Sequence, residues 1–593
     1  MPEGFDTDLS AAAQRWLDAF AAALAASDGP ALATLFGGDS HWRDLLAFAW
    51  RVETVSGAPA IGAALAARGN AIAASGFAIA ADRTPPRRVS RAGVEVVEAI
   101  FRFRTAIGSA EGVVRLVPGE AGALPWRAWT LLTSLAEIDG HAEAVGRDHR
   151  PTGEVYSRDF HGPNWLDRRQ AAAAYADRDP AVLVVGAGQA GLSIAARLGQ
   201  LGIDTLVVDR EARVGDNWRN RYHALVLHNQ VHVNHLPYMP FPPNWPAYIP
   251  KDKVAGWFEA YAEAMELNVW TGTEFAGGDY DDAAGCWTVS LRRADGATRR
   301  MRPRHVVMAT GVSGIPNRPD IAGLDDFAGT VLHSGAWQDG AAWAGRRALV
   351  IGSGNSGHDI AQDLCERGAA VTMVQRSPTL VVSVEPSAQL PYALYDEGPD
   401  LADCDLLAMA TPLQPLRRTH QLLTARSRAL DRDLLDRLEK AGFRLDFGPD
   451  GTGWQFKYLE RGGGYYFNVG CSDLIAAGKI GLVQFDTVER IVADGMRLRD
   501  GTLLPADLIV LATGFAGQAA LVRKLFGDSV ADRVGPVWGF DAARQELNAM
   551  WMRTGQPGLW FLAGSFAQCR IYSKVLALQI CACEAGLVAA NSA

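Results

Sequence analysis

Two glycine-rich segments with the same spacing lie 166 positions apart in this chain of 593 residues. Each follows a run of β-branched residues and opens an apolar helical pattern, and the glycines are Gly186, Gly188, Gly191 and Gly352, Gly354, Gly357. Glycine permits a tight turn and a close approach of backbone to a pyrophosphate, which then meets free N–H groups at the helix N-terminus. One such motif predicts one dinucleotide site. Two predict that electrons pass between two dinucleotides.

Length and composition restrict the class of protein further. A chain of this length predicts three or four domains, and a net charge of −9 argues against a nucleic-acid partner. No apolar run reaches the roughly 18–20 residues of a membrane span, and the acidic N-terminus is unlike a signal peptide. The seven cysteines are scattered without a CxxC pair. We therefore expect reduced thiols, no metal site, no membrane association and a cytoplasmic location.

Residues 1–150 carry no nucleotide motif and predict an α+β domain. An alanine-rich helical pattern comes first, and long strand-like segments such as VEVVEAIFRFRTAI follow. This layout, with the string HWRDLLAFAW, resembles the cone-shaped fold of the superfamily that includes nuclear transport factor two and the SnoaL-like proteins. Some members are enzymes, which makes His41 and Asp44 candidate catalytic residues, although we favour a packing and interface domain. The polar composition of residues 151–179 is typical of a linker.

From residue 180 the pattern is strand, glycine turn, helix and strand, which is typical of a doubly wound α/β fold. We expect two doubly wound dinucleotide-binding domains, the second inserted in the first, beside the N-terminal α+β domain. The predicted boundaries are 180–335 for the first part of the first domain, 336–505 for the inserted domain with a helical insert, and 506–593 for the return. Two strand-end ATG segments, VVMATG and IVLATGF, are expected to return the chain to the first domain.

The residues after the second strand of each unit distinguish the two dinucleotides. Asp209 follows Gly191 by 18 residues, and a carboxylate there accepts from ribose hydroxyls and repels a 2′-phosphate, which fits FAD or NAD. In the second unit the strand ends in Gln375, Arg376 and Ser377 without an acid. Arg376 and Ser377 are suited to a 2′-phosphate, so the second site predicts NADPH, with NADH as the alternative donor. The competing interpretation makes Arg376 a solvated cation.

Five segments carry a family resemblance over nearly the whole chain, although weakly over the first 150 residues. They are GAGQAG, VGDNWRNRY, FAGTVLHSGAW, GSGNSGHD and LATGF. With them the chain resembles the class B flavin-dependent monooxygenases, which include the flavin-containing monooxygenases and the Baeyer–Villiger enzymes. The pattern from Phe327 to Trp337 is the most specific. Its Trp is usual in Baeyer–Villiger enzymes, but Gln338 follows, so the motif lies between the two subfamilies.

Two further similarities concern the substrate. The segment LHNQVHVNHLPYMPFPPNWPAYIP resembles the plant indole-pyruvate monooxygenases. The long N-terminal extension resembles that of the type II flavin-containing monooxygenases, several of which oxidise ketones to esters. The family resemblance implies FAD, NADPH, dioxygen and a small-molecule substrate as reactants, with a flavin peroxide that is kept away from water. A homodimer is one expected assembly.

The resemblance also implies which residues hold the cofactors. We call the two glycine-rich segments the first and second fingerprints. The first fingerprint is expected at the pyrophosphate of FAD, and the second at that of NADPH. Beyond the six glycines, the expected cofactor-binding residues are Gln189, Ala190, Asp209, Arg210, Asp216, Asn217, Trp218, His228, Gln230, Ser353, Asn355, Ser356, Arg376, Ser377, Thr513 and Gly564.

Three further residues, all outside the N-terminal domain, are candidate catalytic groups. Asn229 is expected to hydrogen-bond the flavin peroxide or retained NADP⁺, and the alternative is a turn asparagine. The imidazole of His333 is suited to a general base, but we favour a role in setting the relative orientation of the two nucleotide domains. Arg570 is expected either to neutralise a flavin anion or peroxide, or to form a surface salt bridge.

The chain is therefore predicted to be an FAD- and NADPH-dependent monooxygenase. Baeyer–Villiger oxidation of a ketone is the first expectation, followed by oxygenation of N or S and by oxidative decarboxylation of an aryl pyruvate. A flavin disulfide reductase is disfavoured because the CxxxxC and CxxC pairs are missing. A redox-sensing or scaffold flavoprotein is the non-enzymatic alternative.

Overall fold

The computed structural model describes residues 8–119, 125–146, 159–312 and 314–588, and its first part is an α+β domain. The elements of this domain are α1 (Leu9–Ala25), α2 (Gly29–Thr34), β1 (Phe36–Leu45), β2 (Val52–Ser56), α3 (Ala58–Ile72), β3 (Ser75–Ile79), β4 (Arg87–Arg91), β5 (Val94–Thr105), β6 (Gly108–Pro118) and β7 (Trp126–Ile138). The strands form one sheet in the order β2-β1-β7-β6-β5-β3, with β4 beside β5. Helices α1 to α3 precede the long strands β5 to β7, as the sequence indicates, but β1 and β2 come before α3, and the cone-shaped superfamily remains a prediction.

Helix α1 covers this sheet with one apolar face. Trp16, Leu17, Phe20 and Leu24 recur at helical spacing and are buried, and the rings of Trp16 and Phe20 stack at 5.2 Å. The helix starts where the Asp8 carboxylate accepts two backbone N–H groups of the first turn. Capping and periodicity therefore act together to fix the position of α1.

The predicted linker contains a helix, α4 (Trp165–Ala174). It begins at a capping box, in which the side chains of Asn164 and Asp167 each accept the backbone N–H of the other residue. An alanine run with high helix propensity completes it. The polar composition concealed this helix, and residues 151–158 of the predicted linker lie outside the described residues.

The two dinucleotide units follow along the chain. The elements up to the second unit are β8 (Val182–Val185), α5 (Gln189–Gln200), β9 (Thr205–Val208), α6 (Asp216–Arg219), β10 (Val226–Gln230), β11 (Tyr248–Pro250), α7 (Lys251–Ala264), β12 (Asn268–Trp270), β13 (Thr273–Asp281), β14 (Cys286–Arg293), β15 (Thr298–Met301), β16 (His305–Met308) and β17 (Ile315–Pro316). Those that follow are β18 (Thr330–His333), β19 (Arg347–Ile351), α8 (Asn355–Glu366), β20 (Ala370–Gln375), β21 (Leu380–Ser383), α9 (Leu401–Met409), α10 (Leu413–Leu430), α11 (Arg432–Lys440), α12 (Gly453–Arg461), β22 (Tyr465–Asn468), α13 (Cys471–Ala476) and β23 (Gly481–Gln484). The remaining elements are β24 (Val488–Val492), β25 (Gly495–Leu498), β26 (Leu503–Pro505), β27 (Leu508–Leu511), β28 (Phe515–Ala516), α14 (Gln518–Val534), β29 (Phe540–Asp541), β30 (Glu546–Leu547), β31 (Leu559–Phe561) and α15 (Phe566–Glu584).

Two five-stranded parallel sheets have the same plan. Their strand orders are β12-β9-β8-β16-β31 and β23-β20-β19-β27-β18. In each, the strand before the fingerprint lies between the second strand of its unit and an ATG strand, and a three-stranded antiparallel sheet precedes that ATG strand. The central strands are apolar and buried on both faces, as is usual for parallel sheets. Each unit thus brings its glycine loop and its ATG turn to the same edge.

The second ATG strand differs from our expectation. The strand of IVLATGF, β27, pairs with β19 and β18 of the second sheet, and does not return the chain to the first. The returning strand is β31, which pairs with β16. The predicted boundaries at 335/336 and 505/506 therefore cut the second sheet, which includes both β18 and β27. The sequence misled us because both ATG strands occupy equivalent places in two similar sheets.

A helical insert follows β21. It comprises a 3-10 helix, Ser387–Asp396, and helices α9 to α12. The final helix, α15, packs along α5 of the first unit. Among the described helices, none combines the length and the apolar character that a membrane span needs.

Candidate active site

The first fingerprint forms a loop in which side chains are sterically excluded. Gly186 has a φ of +108° and donates its N–H to the carbonyl of Val208 at 2.8 Å. A methyl group at Gly191 would lie 1.8 Å from the carbonyl oxygen of Gly186. No side chain caps α5, whose N-cap is Gly188, so the N–H groups of its first turn face outward for an anion.

The second fingerprint repeats this geometry closely. Gly352 has a φ of +123°, and a methyl group there would lie 2.2 Å from the carbonyl oxygen of Ala512 in the second ATG segment. Helix α8 likewise starts at Gly354 without a side-chain cap. The helix α15 differs, since Ser565 and Gln568 form a capping box at its start. The chain therefore offers two equivalent backbone cradles for pyrophosphate groups.

The residues predicted to distinguish the two sites lie at the ends of β9 and β20. Asp209 accepts the backbone N–H of Ala187, within the glycine loop, at 2.7 Å, and burial raises the pKa of this carboxyl. In the second unit Gln375 is buried and exchanges hydrogen bonds of 2.9 Å with the backbone of Arg444. Arg376 and Ser377 are exposed at the end of β20. The second strand of the second unit is thus followed by a cation and a hydroxyl, where that of the first unit is followed by a carboxylate.

The segment of α6 brings polar atoms to the first loop. Asp216 is buried in an ion pair with Arg219, and the amide nitrogen of Asn217 lies 3.0 Å from the position of a Cβ on Gly188. Asn217 Oδ1 and Trp218 Nε1 are buried without a hydrogen-bond partner among the described residues. Thr310 Oγ1, in the first ATG segment, is also buried without a hydrogen-bond partner among the described residues. Buried polar atoms are rarely left unpaired, so these atoms fit contacts to a bound molecule.

Several expected cofactor residues already have partners within the protein. Ser353 Oγ lies 2.6 Å from Thr379 Oγ1, and Asn355 Oδ1 accepts the N–H of Phe467 at 3.0 Å. The remaining members of the expected set have these positions: Gln189 donates to the carbonyl of Gly564 at 3.3 Å, Thr513 donates to the carbonyl of Asn317 at 2.6 Å, Ala190 is buried in α5, and Ser356 and Arg210 are exposed. These contacts hold the loops in shape, and direct cofactor contacts of these side chains stay predictions.

His333 connects the second sheet to the turn that follows its ATG strand. Its Nδ1 accepts the N–H of Gly335 at 3.1 Å, which leaves the proton on Nε2, and this donates to the carbonyl of Gly514 at 3.0 Å. The ring also packs edge-on against Phe515 at 5.1 Å. Burial lowers the pKa of His333. These contacts lie within the second unit, so both the role in domain orientation and the general-base role stay predictions.

Arg570 forms a buried ion pair, whereas the alternative that we considered was a pair at the surface. The guanidinium makes two hydrogen bonds of 2.7 Å to the carboxylate of Asp405, and Nη1 donates to the carbonyls of Val233 and His235 at 2.8 Å. Arg570 is only 4% exposed. It joins α15 to the helical insert, and a contact with the flavin stays a prediction.

Asn229 lies at the junction of β10 and the helical insert. Its side-chain amide nitrogen donates to the phenol oxygen of Tyr392 at 3.0 Å, and its main-chain carbonyl accepts from the side-chain amide of Asn234 at 2.9 Å. His228 precedes it, and burial lowers the pKa of that imidazole to about 4. Gln230 donates to Glu385 at 3.4 Å. Of these three expected site residues, only Asn229 has a described hydrogen bond to a tyrosine hydroxyl of the insert.

Three tyrosines and a glutamine surround this junction, and we call Asn229, Tyr392, Tyr458, Tyr465 and Gln568 the amide–phenol cluster. Tyr458 donates to Gln568 Oε1 at 3.3 Å. Tyr392 and Tyr465 both pack against Trp454, with ring centroids 6.3 and 5.8 Å away. Burial raises the pKa of Tyr392 to about 12, so its phenol stays protonated at neutral pH.

Sequence reasoning missed Tyr392, Tyr458 and Gln568. Only Tyr465 carried a signal, because it follows three glycines in an aromatic turn. The other three lie on the 3-10 helix of the insert, on α12 and on α15. In the described parts of the chain, no group of three or more His, Cys, Asp or Glu side chains is arranged to hold a metal ion.

Known proteins are similar to this chain in sequence and in fold. A family model described as pyridine nucleotide-disulphide oxidoreductase matches residues 183–394. The indole-3-pyruvate monooxygenase YUCCA1 of rice (Oryza sativa subsp. japonica) is 33% identical over 350 residues, which are 59% of this chain and 80% of that protein. The probable indole-3-pyruvate monooxygenase YUCCA4 of Arabidopsis thaliana is 32% identical over 339 residues, 57% and 75% of the two chains. A structure of cyclohexanone monooxygenase with bound cyclohexanone, 18% identical, has the same fold at a TM-score of 0.51 over 69% of this chain and 88% of its own.

Fold and site define an oxidoreductase with two dinucleotide cradles. The chain belongs to the family of flavin-dependent monooxygenases that includes these plant proteins. It is therefore an enzyme, and its cofactors are FAD and NADP(H). The residues present fit both groups, since both loops leave no room for a Cβ at their first and third glycines, and three buried polar atoms near the first loop have no hydrogen-bond partner among the described residues.

Proposed function

We propose that this monooxygenase inserts one oxygen atom of dioxygen into a small neutral ketone, a Baeyer–Villiger oxidation to an ester or lactone. NADPH supplies two electrons, and the second oxygen atom leaves as water. The observation that carries this proposal is the neutrality of the amide–phenol cluster. Its five members are amides and phenols, and the nearby Arg570 is paired with Asp405. Uncharged side chains of this kind suit a neutral carbonyl compound better than a carboxylate.

The bound flavin supplies the reaction with dioxygen, and the side chains supply positioning and exclusion of water. In this proposal Asn229 donates to the reacting oxygen or to retained NADP⁺, and Tyr392 orients its amide. Asp209 accepts from the ribose of FAD, and Arg376 with Ser377 holds the 2′-phosphate of NADPH. His333 keeps the ATG turn of the second unit in register with the sheet, which supports the orientation of the two units.

A second candidate reaction is the oxidative decarboxylation of an aryl pyruvate. The names of the relatives at 33% and 32% identity support it. Oxygenation of N or S remains a third prediction from the sequence. The SnoaL-like character of the N-terminal domain, a cytoplasmic location and a homodimer also stay predictions.

Product analysis with labelled dioxygen tests the proposal. Purified enzyme with NADPH receives cyclohexanone, indole-3-pyruvate or a thioether in separate reactions. We expect the label in a lactone, at one atom per NADPH oxidised. Labelled indole-3-acetate with release of carbon dioxide would instead establish the second candidate. Hydrogen peroxide as the sole oxygen product with all three compounds would refute a monooxygenase function for these substrates.

A further inference from the structure

A short segment of the first dinucleotide unit reaches the second unit. We call residues 216–223, which are α6 and the four residues after it, the connecting segment. Near its start, the side-chain nitrogen of Asn217 lies 3.0 Å from the position of a Cβ on Gly188 in the first glycine loop. At its end, the N–H of His223 donates to the carbonyl of Gln338 at 3.0 Å, between β18 and β19 of the second sheet. The segment therefore contacts the first cradle at one end and the second unit at the other.

The side chain of Tyr222, in the connecting segment, enters the second unit. Its ring packs against the buried apolar core of that unit, which includes Trp337 and Ile360. Its hydroxyl donates a hydrogen bond to Oδ2 of Asp359. Asp359 is on α8, two residues after Gly357, the last glycine of the second fingerprint. A tyrosine five residues after Asn217 thus contacts the helix that starts at the second glycine loop.

Tyr222 is the hydrogen-bond partner of the Asp359 side chain in the part of the chain that the structure describes. Burial raises the pKa of the Asp359 carboxyl to about 6, and the hydrogen bond from Tyr222 opposes this rise. The second carboxylate oxygen, Oδ1, is buried and has no hydrogen-bond partner among the described residues. Removal of the phenol would therefore leave a buried carboxylate with neither oxygen hydrogen-bonded to a described residue, which is costly.

The contact between Tyr222 and Asp359 crosses from one unit to the other, whereas the hydrogen bonds of His333 stay within the second unit. The two glycine loops lie on separate sheets, so contacts between the units have to fix their relative position. Hydride transfer needs its two reacting atoms about 3–3.5 Å apart, and a displacement of about 1 Å can lower the rate about 100-fold. A contact that fixes α8 relative to the first cradle therefore affects this step.

We propose that Tyr222 and Asp359 are positioning residues, which hold the two dinucleotides in register for hydride transfer from NADPH to FAD. Their hydrogen bond fixes α8, and with it the second glycine loop, relative to the connecting segment beside the first loop. The inference goes beyond the proposed function, because reduction of the flavin by NADPH does not depend on which compound receives the oxygen atom.

Anaerobic stopped-flow measurement of flavin reduction tests this role. Tyr222→Phe removes the hydroxyl and keeps the ring in the core, so the reduction rate at saturating NADPH should fall about tenfold, as one hydrogen bond to a charged group predicts. The FAD content, the Tm and the Kd for NADP⁺ should stay close to those of the wild type. Tyr280→Phe, on β13 of the first unit, is the matched control and should be reduced at the wild-type rate.

Variants of Asp359 distinguish positioning from a general effect on stability. Asp359→Asn keeps an oxygen that accepts from Tyr222, so it should retain most of the reduction rate. Asp359→Ala should lose about as much as Tyr222→Phe. The double variant Tyr222→Phe/Asp359→Ala should lose no more than either single variant, as expected when both residues belong to one contact.

A spectroscopic measurement without turnover complements the kinetics. Chemically reduced enzyme is mixed with NADP⁺ under anaerobic conditions, and the long-wavelength charge-transfer absorbance reports how closely the nicotinamide stacks on the flavin. Tyr222→Phe and Asp359→Ala should weaken this absorbance even at saturating NADP⁺, and Asp359→Asn should retain it.

Three results would overturn the proposal. They are wild-type reduction rates and absorbance in both Tyr222→Phe and Asp359→Ala, additive losses in the double variant, and a loss confined to the Kd for NADP⁺ or to the Tm. Failure of ketone oxidation would instead overturn the proposed function alone, since it leaves flavin reduction by NADPH unaffected.

Discussion

At the scale of the residue, the two cradles depend on positions where no side chain fits. A Cβ at Gly191 would lie 1.8 Å from the carbonyl oxygen of Gly186, far inside the van der Waals contact distance. Gly191→Ala should therefore distort the loop and lower the FAD retained per purified chain severalfold. Gly199→Ala, on the same helix with open space around it, is the matched control and should stay fully loaded. Flavin absorbance relative to protein measures this, and a fully yellow Gly191→Ala variant would contradict it.

Arg376 carries the prediction about cofactor choice. If it pairs with a 2′-phosphate, Arg376→Ala should raise the KM for NADPH at least about tenfold, as expected for a charged hydrogen bond, and leave the KM for NADH almost unchanged. Arg426→Ala, at an exposed position on α10 of the insert, is the control. Steady-state kinetics with both donors decides the matter. Equal effects on the two KM values would make Arg376 a solvated cation.

Single residues also mark the limit of prediction from the sequence. Asp209 and Arg376 can be predicted because the fingerprint fixes their place along one strand–turn–helix–strand unit. Tyr392 cannot be predicted in this way, because its contact with Asn229 joins positions 163 residues apart. Arg570 has no local pattern that reveals Asp405, 165 residues away. Local spacing identifies the cradles, whereas the partners of the candidate catalytic groups depend on tertiary packing.

At the scale of the element, type and order were easier to predict than sheet membership. Apolar runs beside glycine turns predict the strands of both units. Helical periodicity predicts the helices that come before the long strands of the first domain. The ATG strand β27 was assigned to the wrong sheet. Its sequence resembles that of β16, and only pairing with β19 distinguishes the two.

Helix α10 yields a prediction about pH. Burial lowers the pKa of His420 to about 4, against 6.5 for a free imidazole. Below about pH 6.5 the unfolded chain takes up a proton at this residue that the folded chain does not, so stability falls as the pH drops toward 4, by up to about 1.4 kcal/mol per pH unit. His420→Phe should reduce the loss of Tm between pH 7 and pH 5. His161→Phe, at an exposed position, should not, and identical pH profiles of wild type and His420→Phe would show that His420 does not titrate on unfolding.

At the scale of the whole molecule, the N-terminal domain is joined to the rest by buried arginines. Arg43 pairs with Glu546, and Arg115 donates to the carbonyls of Leu407 and Ala410 at 2.9 and 2.8 Å. Arg83 forms an ion pair with Asp403 of the insert. Because of these contacts, the N-terminal domain is packed against the rest of the enzyme. They favour the interpretation of this domain as a packing and interface domain over that of a separate catalytic domain.

Removal of one buried partner should be costly. Arg43→Met leaves the buried carboxylate of Glu546 without its cation, and we expect a loss of about 3–5 kcal/mol in the free energy of unfolding. Arg102→Met breaks an exposed pair with Asp82 in the same domain and should have no measurable effect. Denaturant titration of both variants compares them. Equal stability of Arg43→Met and wild type would mean that the domain is not held by this pair.

Helix α15 runs for 19 residues and contacts the N-terminal domain, the first dinucleotide unit and the helical insert. Gln568 reaches the amide–phenol cluster, Arg570 the insert, Tyr572 the Arg43 side chain, and Glu584 the start of β16. One residue inserted near its start would rotate everything after it by about 100° and move it about 1.5 Å along the axis. All later contacts would be lost together. A change in the length of this helix is therefore expected to be more disruptive than any single substitution on it.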